Sequence, residues 1–392
     1  MLTLAPGGDV GVSGRVACTA MVSVKRTVFL ASYPPDGGVG EHVVSIVRGL
    51  DPDLWRFEVA CLPGSMIEQE IAALPNVRVH HLMGRHPRPS LRDELDLPQI
   101  LRLVGNPDVI HAHSSKAGFL VRFAAGLRRR RSRTIFTPHA WSFWAAGGKE
   151  ARVYTVLERT AAHWCRTIVA VSESERAAGL EAGVGRSGQY VVIPNGIDLE
   201  RYAKDPEPIP GRIVFVGRLS RQKRPDIALR AIASLLETHP EARLDVIADG
   251  PLRGETEALV AELGLEGTVR LLGDRDDVPE QLASASCFLS TSDYEGCPLA
   301  VMEAMAAGVP VVATDVSGTR DLVVAGETGL LAERRQPERI AAALAELIGD
   351  SERARALGLA GRRLARDRFP SARMLAQIEE LYREVAGGGR GH

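Results

Sequence analysis

The 392-residue chain is poor in aromatic residues, with 4 Trp, 6 Tyr and 9 Phe, and it carries almost no net charge. Lys plus Arg (48) nearly balances Asp plus Glu (49). Without a basic field, it is not built to draw in nucleic acid. Its five cysteines, Cys18, Cys61, Cys165, Cys287 and Cys297, include no CxxC pair and no zinc-type spacing. An odd, scattered set argues against a disulfide framework and reads as reduced thiols of a cytoplasmic protein. No apolar run reaches the roughly 18 residues that a membrane span needs. The first 25 residues give no signal-peptide pattern, and Gly7, Gly8, Gly11 and Gly14 interrupt any period there. Residues 1–22 are therefore expected to form a disordered extension, with residues 1–20 dispensable.

What is present is regular. The length exceeds one ordinary core, so two domains are expected. Short apolar runs alternate with helical patterns, the signature of parallel sheets covered by helices on both faces. Strands are expected at 26–32, 57–62, 77–81, 109–112, 134–137 and 167–171, with helices over 41–50 and 152–165 among them. The run Asp205-Pro206-Glu207-Pro208-Ile209-Pro210-Gly211 places three prolines in five positions. It cannot continue a helix or a central strand and reads as a stiff linker. Beyond it the alternation resumes, with strands at 212–216, 243–248, 269–272, 287–290 and 309–313 and helices at 225–238, 252–263 and 298–307. The expected division is 23–204 for a first Rossmann-like domain, 205–211 for the linker and 212–368 for a second. A helix over 369–386 follows, and then a flexible tail, 387–392. Two doubly wound units leave a cleft, and such sheets bind ligands at the carboxyl ends of their strands.

The richest segment follows the 287–290 strand. Glu295 and Glu303 stand eight apart, a spacing that means little alone. Their setting gives it content. Glu295-Gly296-Cys297-Pro298 reads as a turn, Pro298 suits a first helical position, and Glu303 lies on the helix that follows. The N–H groups at that helix start, nearest Leu299 and Ala300, suit a pyrophosphate. Arg218 and Lys223 follow the strand "IVFV", with Gly217 permitting close approach. Two fixed cations there would stabilise the charge that grows on a departing nucleoside diphosphate, each such contact being worth about 3–4 kcal/mol. A metal would instead use Asp274, Asp276 and Asp277, but acids in a turn are ordinarily just solvated. No metal and no cofactor are expected.

The run from Glu295 through "GCPLAVMEAMAAGVPVVAT" resembles the signature of glycosyltransferase family 4, retaining enzymes of the GT-B architecture. Further segments follow in family order: "PDGGVGEH", "HAHSSKAGFL", "FTPHAW", "VVIPNGID", "VFVGRLSRQKRPD" and "VIADGPLR". The likeness covers about residues 26–385 and resembles bacterial exopolysaccharide and lipid-linked-saccharide enzymes. It implies a GT-B fold with an acceptor domain first and a donor domain second, the last helix crossing back to the first. It also implies that Glu295 contacts the donor sugar, Glu303 the ribose, Arg218 and Lys223 the diphosphate, and His139 the sugar near the reacting centre. Gly38, Gly250-Pro251 and the Gly296–Ala300 stretch would line the donor site.

The implied reaction is retaining transfer of a hexose or N-acetylhexosamine to a saccharide, lipid-linked or small-molecule acceptor, UDP-sugar before GDP-mannose. Two alternatives stand beside it: a non-hydrolysing nucleotide-sugar 2-epimerase and a silent sugar-nucleotide-binding partner. Of His111 and His113, one is expected to face the cleft and one to pack; Lys116 is expected to be solvated. Arg128, Arg129, Arg130 and Arg131 end a helical pattern, where cations complement the dipole. They also offer a second expectation, a peripheral seat on an anionic inner membrane surface.

Overall fold

The computed structural model describes residues 25–33, 37–82 and 95–388. The expected extension over 1–22, its dispensability, Cys18 and the tail from 389 onward lie outside the described residues. Seven strands form the first sheet: β1 (Arg26–Ser32), β2 (Trp55–Cys61), β3 (Val77–His81), β4 (Val109–His113), β5 (Thr134–Thr137), β6 (Thr167–Ala170) and β7 (Tyr190–Val192). Six form the second: β8 (Arg212–Val216), β9 (Arg243–Ile247), β10 (Val269–Leu271), β11 (Cys287–Ser290), β12 (Val311–Thr314) and β13 (Gly329–Ala332).

Their orders are β3-β2-β1-β4-β5-β6-β7 and β10-β9-β8-β11-β12-β13. Every pairing within the two sheets is parallel. Strands buried on both faces must be apolar throughout, and "TVFLAS", "RIVFV" and "CFLS" are nearly so. The central strands accordingly fall within a residue or two of expectation. The short edge strands β7 and β13 carry a weaker signal; β13 opens with Gly329 and its middle pair is only half-buried.

Strand order reverses between β1 and β4 and between β8 and β11, the topological switch points that open a crevice. Helices cover both faces. The final helix, Ser371–Gly387, lays Met374, Ile378, Leu381, Tyr382 and Val385 into the core beneath β1 and β2. It is fixed there by Trp55 Nε1 donating to Glu379 Oε1 at 3.1 Å. The chain crosses between the halves twice, side by side: Ile197 N donates to Phe369 O and Ser371 N to Ile197 O, both at 2.9 Å. The Pro-rich run is pinned to the second half, with Glu207 N bonded to Ala283 O and Ile209 N to Ser284 O. Among the described residues, no helix is long and apolar enough to cross a membrane.

Candidate active site

The loops that follow β8 and β11 meet over the second sheet. Gly217, at φ 150°, turns the chain after β8, and the Lys223 stem packs 3.4 Å from where a Cβ at 217 would stand. Lys223 Nζ lies 2.5 Å from Glu295 Oε1. The same oxygen accepts from Ser292 Oγ at 2.6 Å, and Gln222 Nε2 reaches Glu295 Oε2 at 3.3 Å. A carboxylate only 5% exposed is tolerated because these donors compensate its lost hydration. Arg218 is exposed and forms no ion pair or side-chain hydrogen bond among the described residues, which leaves its charge free for an incoming anion.

Gly250, at φ 154°, lets its turn close onto the same loop: a Cβ there would lie 2.5 Å from Leu219 O. With Pro251 following, Leu252 N donates to Leu219 O at 3.0 Å. The helix Leu299–Ala306 begins one residue later than expected. Pro298, at ψ 116°, is its N-cap and offers no side-chain acceptor. The helix Gly38–Gly49 also lacks a side-chain cap, and a Cβ at Gly38 would lie 3.3 Å from Leu299 Cδ1. Two helix starts therefore face each other across the cleft, and their converging positive dipole ends favour an anion between them.

Acids line the same gap. Burial pushes Glu303 up to about 7, and the charge of Glu41 adds to the effect, while the Tyr202 hydroxyl, Arg201 and Lys223 oppose it. Glu41, in the first turn of its helix, is also raised by burial and held back by Arg201. The Cys297 thiol points away from chemistry: burial raises it to about 12, and its Sγ lies 3.6 Å from Met302 Sδ. Its carbonyl does more, accepting from Asn195 Nδ2 at 2.8 Å across the two halves.

On the opposite wall, His139 follows β5 in the left-handed region, at φ 61°. Such a conformation in a non-glycine residue is sparsely populated and concentrates at functional sites. His113 Nδ1 lies 3.0 Å from its Nε2. His111 and His113, two apart on the strand, share a face, and they differ in depth along it. Both are fully buried, with rings 4.1 Å apart. His111 is the deeper one, bonded to Tyr382 Oη and Thr137 Oγ1 at 2.8 and 2.7 Å.

Lys116 sits 4.6 Å over the Tyr33 ring rather than simply in solvent. Asp277 is engaged by Arg275 in a two-pronged pair at 2.6 Å. In the arginine run, Arg130 bonds Pro107 O at 2.6 Å, while Arg128, Arg129 and Arg131 are exposed beside Leu127. Sequence reasoning overlooked His42, Glu41, Asn195 and Glu175, all drawn into the seam between the halves. His42 and Glu41 follow the Gly-rich turn directly, a position that could have flagged them.

Two doubly wound sheets facing a cleft lined with cations, helix starts and a buried carboxylate define the GT-B class of glycosyltransferases. The "Glycosyltransferase Family 4" model matches residues 36–201, and the "Glycosyl transferases group 1" model matches 201–364. A galactosyltransferase of Escherichia coli acting on GlcNAc-diphosphoundecaprenol is 30% identical over 259 residues, 62% of this chain and 67% of that protein. An exopolysaccharide phosphotransferase of Streptomyces coelicolor is 35% identical over 53% of this chain, which spans only 22% of that longer protein. Among solved structures, Anabaena HepE in complex with UDP and glucose superposes with a TM-score of 0.77 at 23% identity, over 91% of this chain and 99% of the other. The chain belongs to glycosyltransferase family 4, enzymes that transfer a sugar from a nucleotide sugar.

Proposed function

We propose that the protein is a retaining hexosyltransferase using a UDP-sugar, with GDP-mannose the next candidate, and a saccharide, lipid-linked or small hydroxyl-bearing acceptor. The observation that carries this reading is the half-buried Lys223 paired with the buried Glu295, beside the uncommitted Arg218, at the switch point of the second sheet. The complex of the Anabaena protein with UDP and glucose supports the choice of base and sugar class.

In this reading residues 212–368 hold the donor and 23–204 the acceptor. Arg218, Lys223 and the N–H groups at Leu299 and Ala300 take up the negative charge that grows on the leaving diphosphate, in place of a metal ion. Gly250-Pro251 and Gly296 through Pro298 shape the pocket, Gly38 closes it, and Glu295 orients sugar hydroxyls. Glu303 accepts hydroxyls of the ribose. His139 approaches the sugar near its anomeric carbon.

Retention follows from attack on the face the leaving group vacates, the donor phosphate oxygen taking the acceptor proton. A double displacement would instead need two carboxylates about 5–5.5 Å apart flanking that carbon. Closure of the halves excludes water and so favours transfer over hydrolysis. Arg128, Arg129 and Arg131 beside Leu127 support a seat on the anionic inner surface of a membrane, where a lipid-linked acceptor would lie. A thermal-shift screen against sugar nucleotides, followed by transfer assays on the hits, tests the reading. If no sugar nucleotide raises the melting temperature, the proposal fails.

A further inference from the structure

Three imidazoles converge on the cleft floor from three different elements. His42 comes from the helix Gly38–Gly49, His113 from the end of β4 and His139 from the loop after β5. One ring nitrogen from each lies within 4.8 Å of the other two. The His42 and His139 rings stand 4.7 Å apart, centroid to centroid. The single hydrogen bond in the group, His113 Nδ1 to His139 Nε2, leaves much unsatisfied. Among the described residues His113 Nε2 meets no hydrogen-bond partner and the His42 nitrogens meet at most the Asn195 side chain, although these residues are 0% and 3% exposed. Buried polar atoms without partners are uncommon and call for an explanation.

The chemistry of the set is that of a soft-to-borderline cation site. A neutral imidazole presents one ring lone pair, and three such rings face one another here. Tetrahedral zinc holds nitrogens at about 2.0–2.1 Å, which spaces them about 3.3 Å apart. The 3.0 Å between His113 and His139 would open by a few tenths of an ångström, and the wider separations, up to 4.8 Å, would close by as much as about 1.5 Å as the rings turn toward the ion. Ligating histidines ordinarily donate their second N–H to an oxygen. Asn195 supplies one: its buried side chain lies beside the His42 ring as a hydrogen-bond partner for it. Hard cations such as Mg²⁺ seek oxygen ligands and have no claim on this group.

We infer that His42, His113 and His139 form a binding site for a zinc-class divalent cation, and that its occupancy shuts off transfer by withdrawing His139 from the sugar. The second half rests on the proposed role of His139; the first does not. Three protein ligands leave a fourth position open to the cleft, so the ion would compete with the sugar rather than with the diphosphate.

The test uses the full chain stripped with chelator and titrated with Co²⁺, read by the d–d absorption of tetrahedral cobalt, and with Zn²⁺, read by calorimetry. One equivalent is expected for the wild type, with affinity at least tenfold lower in His42→Gln and about 10–100-fold lower in Asn195→Ala. Mg²⁺ should give no heat. Zn²⁺ should inhibit wild-type turnover, and that inhibition, taken relative to each protein's own metal-free rate, should be lost in His42→Gln. Equal affinity in wild type and both variants, or no tetrahedral cobalt band, overturns the site. A stoichiometric ion lost in the variants but without effect on turnover upholds the site and overturns the role given to His139. Should His42→Gln fail to fold, Asn195→Ala decides.

Discussion

Gly296 and His139 meet backbone to backbone across the cleft: a Cβ at position 296 would lie 2.5 Å from the His139 carbonyl oxygen. Gly318 closes the other side, where a Cβ would lie 2.4 Å from Gly296 O. The chain at 296 is thus threaded between two backbones, with Glu295 on one flank. A buried carboxylate of one half and a histidine of the other are held in register by a contact that tolerates no side chain.

Gly296→Ala should therefore do more than remove a conformational freedom. Overpacking of this kind costs about 1–3 kcal/mol, and a shift of about 1 Å at the reacting groups costs about 10²-fold in rate. The expected outcome is a lower melting temperature together with a kcat/KM fall of that order. Gly254→Ala, where an added Cβ meets nothing within 4 Å, should leave both unchanged and serves as the control.

Arg218 and Lys223 should separate. Both substitutions to Ala are expected to lower kcat by about 10²-fold, because leaving-group charge grows in the transition state. Arg218 has no structural partner among the described residues, so its removal should leave the melting temperature alone. Lys223→Ala strands the buried Glu295 carboxylate, and breaking such a pair costs about 3–5 kcal/mol. The lysine lies partly exposed, at 20% of its side chain, so the loss should fall below that range. A rise in KM with unchanged kcat in either variant would mean that the residue only binds substrate.

Glu175 predicts a pH dependence. It is fully buried, with Oε2 accepting from Val171 N at 2.8 Å and Oε1, beneath Gly296, without a partner among the described residues. Burial pushes its carboxyl up to about 8, with the charge of Asp321 adding to it. A raised acid is protonated in the folded chain and ionised in the unfolded one between about 4.5 and 8, so folding takes up a proton in that window. Its stabilising contribution is complete below about 4.5, falls by at most about 1.4 kcal/mol per pH unit, and is gone above about 8. Glu175→Gln removes the titration while keeping an acceptor for Val171. Melting curves from pH 5 to 9 should show the variant gaining on the wild type as pH rises; a pH-independent difference would refute the assignment.

Turnover should survive EDTA, since two cations and two helix starts surround the proposed diphosphate position. Complete loss in EDTA, restored by Mn²⁺, would contradict the proposed handling of the leaving group. If the histidine site takes zinc as inferred, the chelator should instead relieve inhibition by added Zn²⁺.

Sequence pattern located the sheet strands well because most central strands are short, largely apolar runs between helical patterns, as in β1, β8 and β12. It also singled out Lys223 and Glu295, which the structure brings into contact, and His139, which it sets against Gly296. What escaped was what only tertiary packing creates. Glu175 reads along the chain as the fourth member of a Ser172-x-x-Glu175 capping box. Indeed its N–H is bonded to Ser172 Oγ at 3.1 Å; nothing local says that its free oxygen would end beneath a turn 121 residues away. His42 looked like one more residue of an amphipathic helix. Asn195 became informative only once its amide was seen bonded to Cys297 O, 102 positions along.

The central claim is transfer, with retention, from a nucleoside diphosphate sugar, and a proton NMR time course tests it directly. The purified chain would be incubated with α-linked UDP-glucose, UDP-galactose, UDP-N-acetylglucosamine and GDP-mannose, with saccharide and lipid-linked acceptors supplied, beside an Arg218→Ala control. The account predicts that one donor is consumed with stoichiometric release of nucleoside diphosphate, that the new glycosidic bond keeps the α configuration, and that the control is slowed about 10²-fold. An inverted product, or conversion of a donor to its 2-epimer with no acceptor consumed, would contradict it.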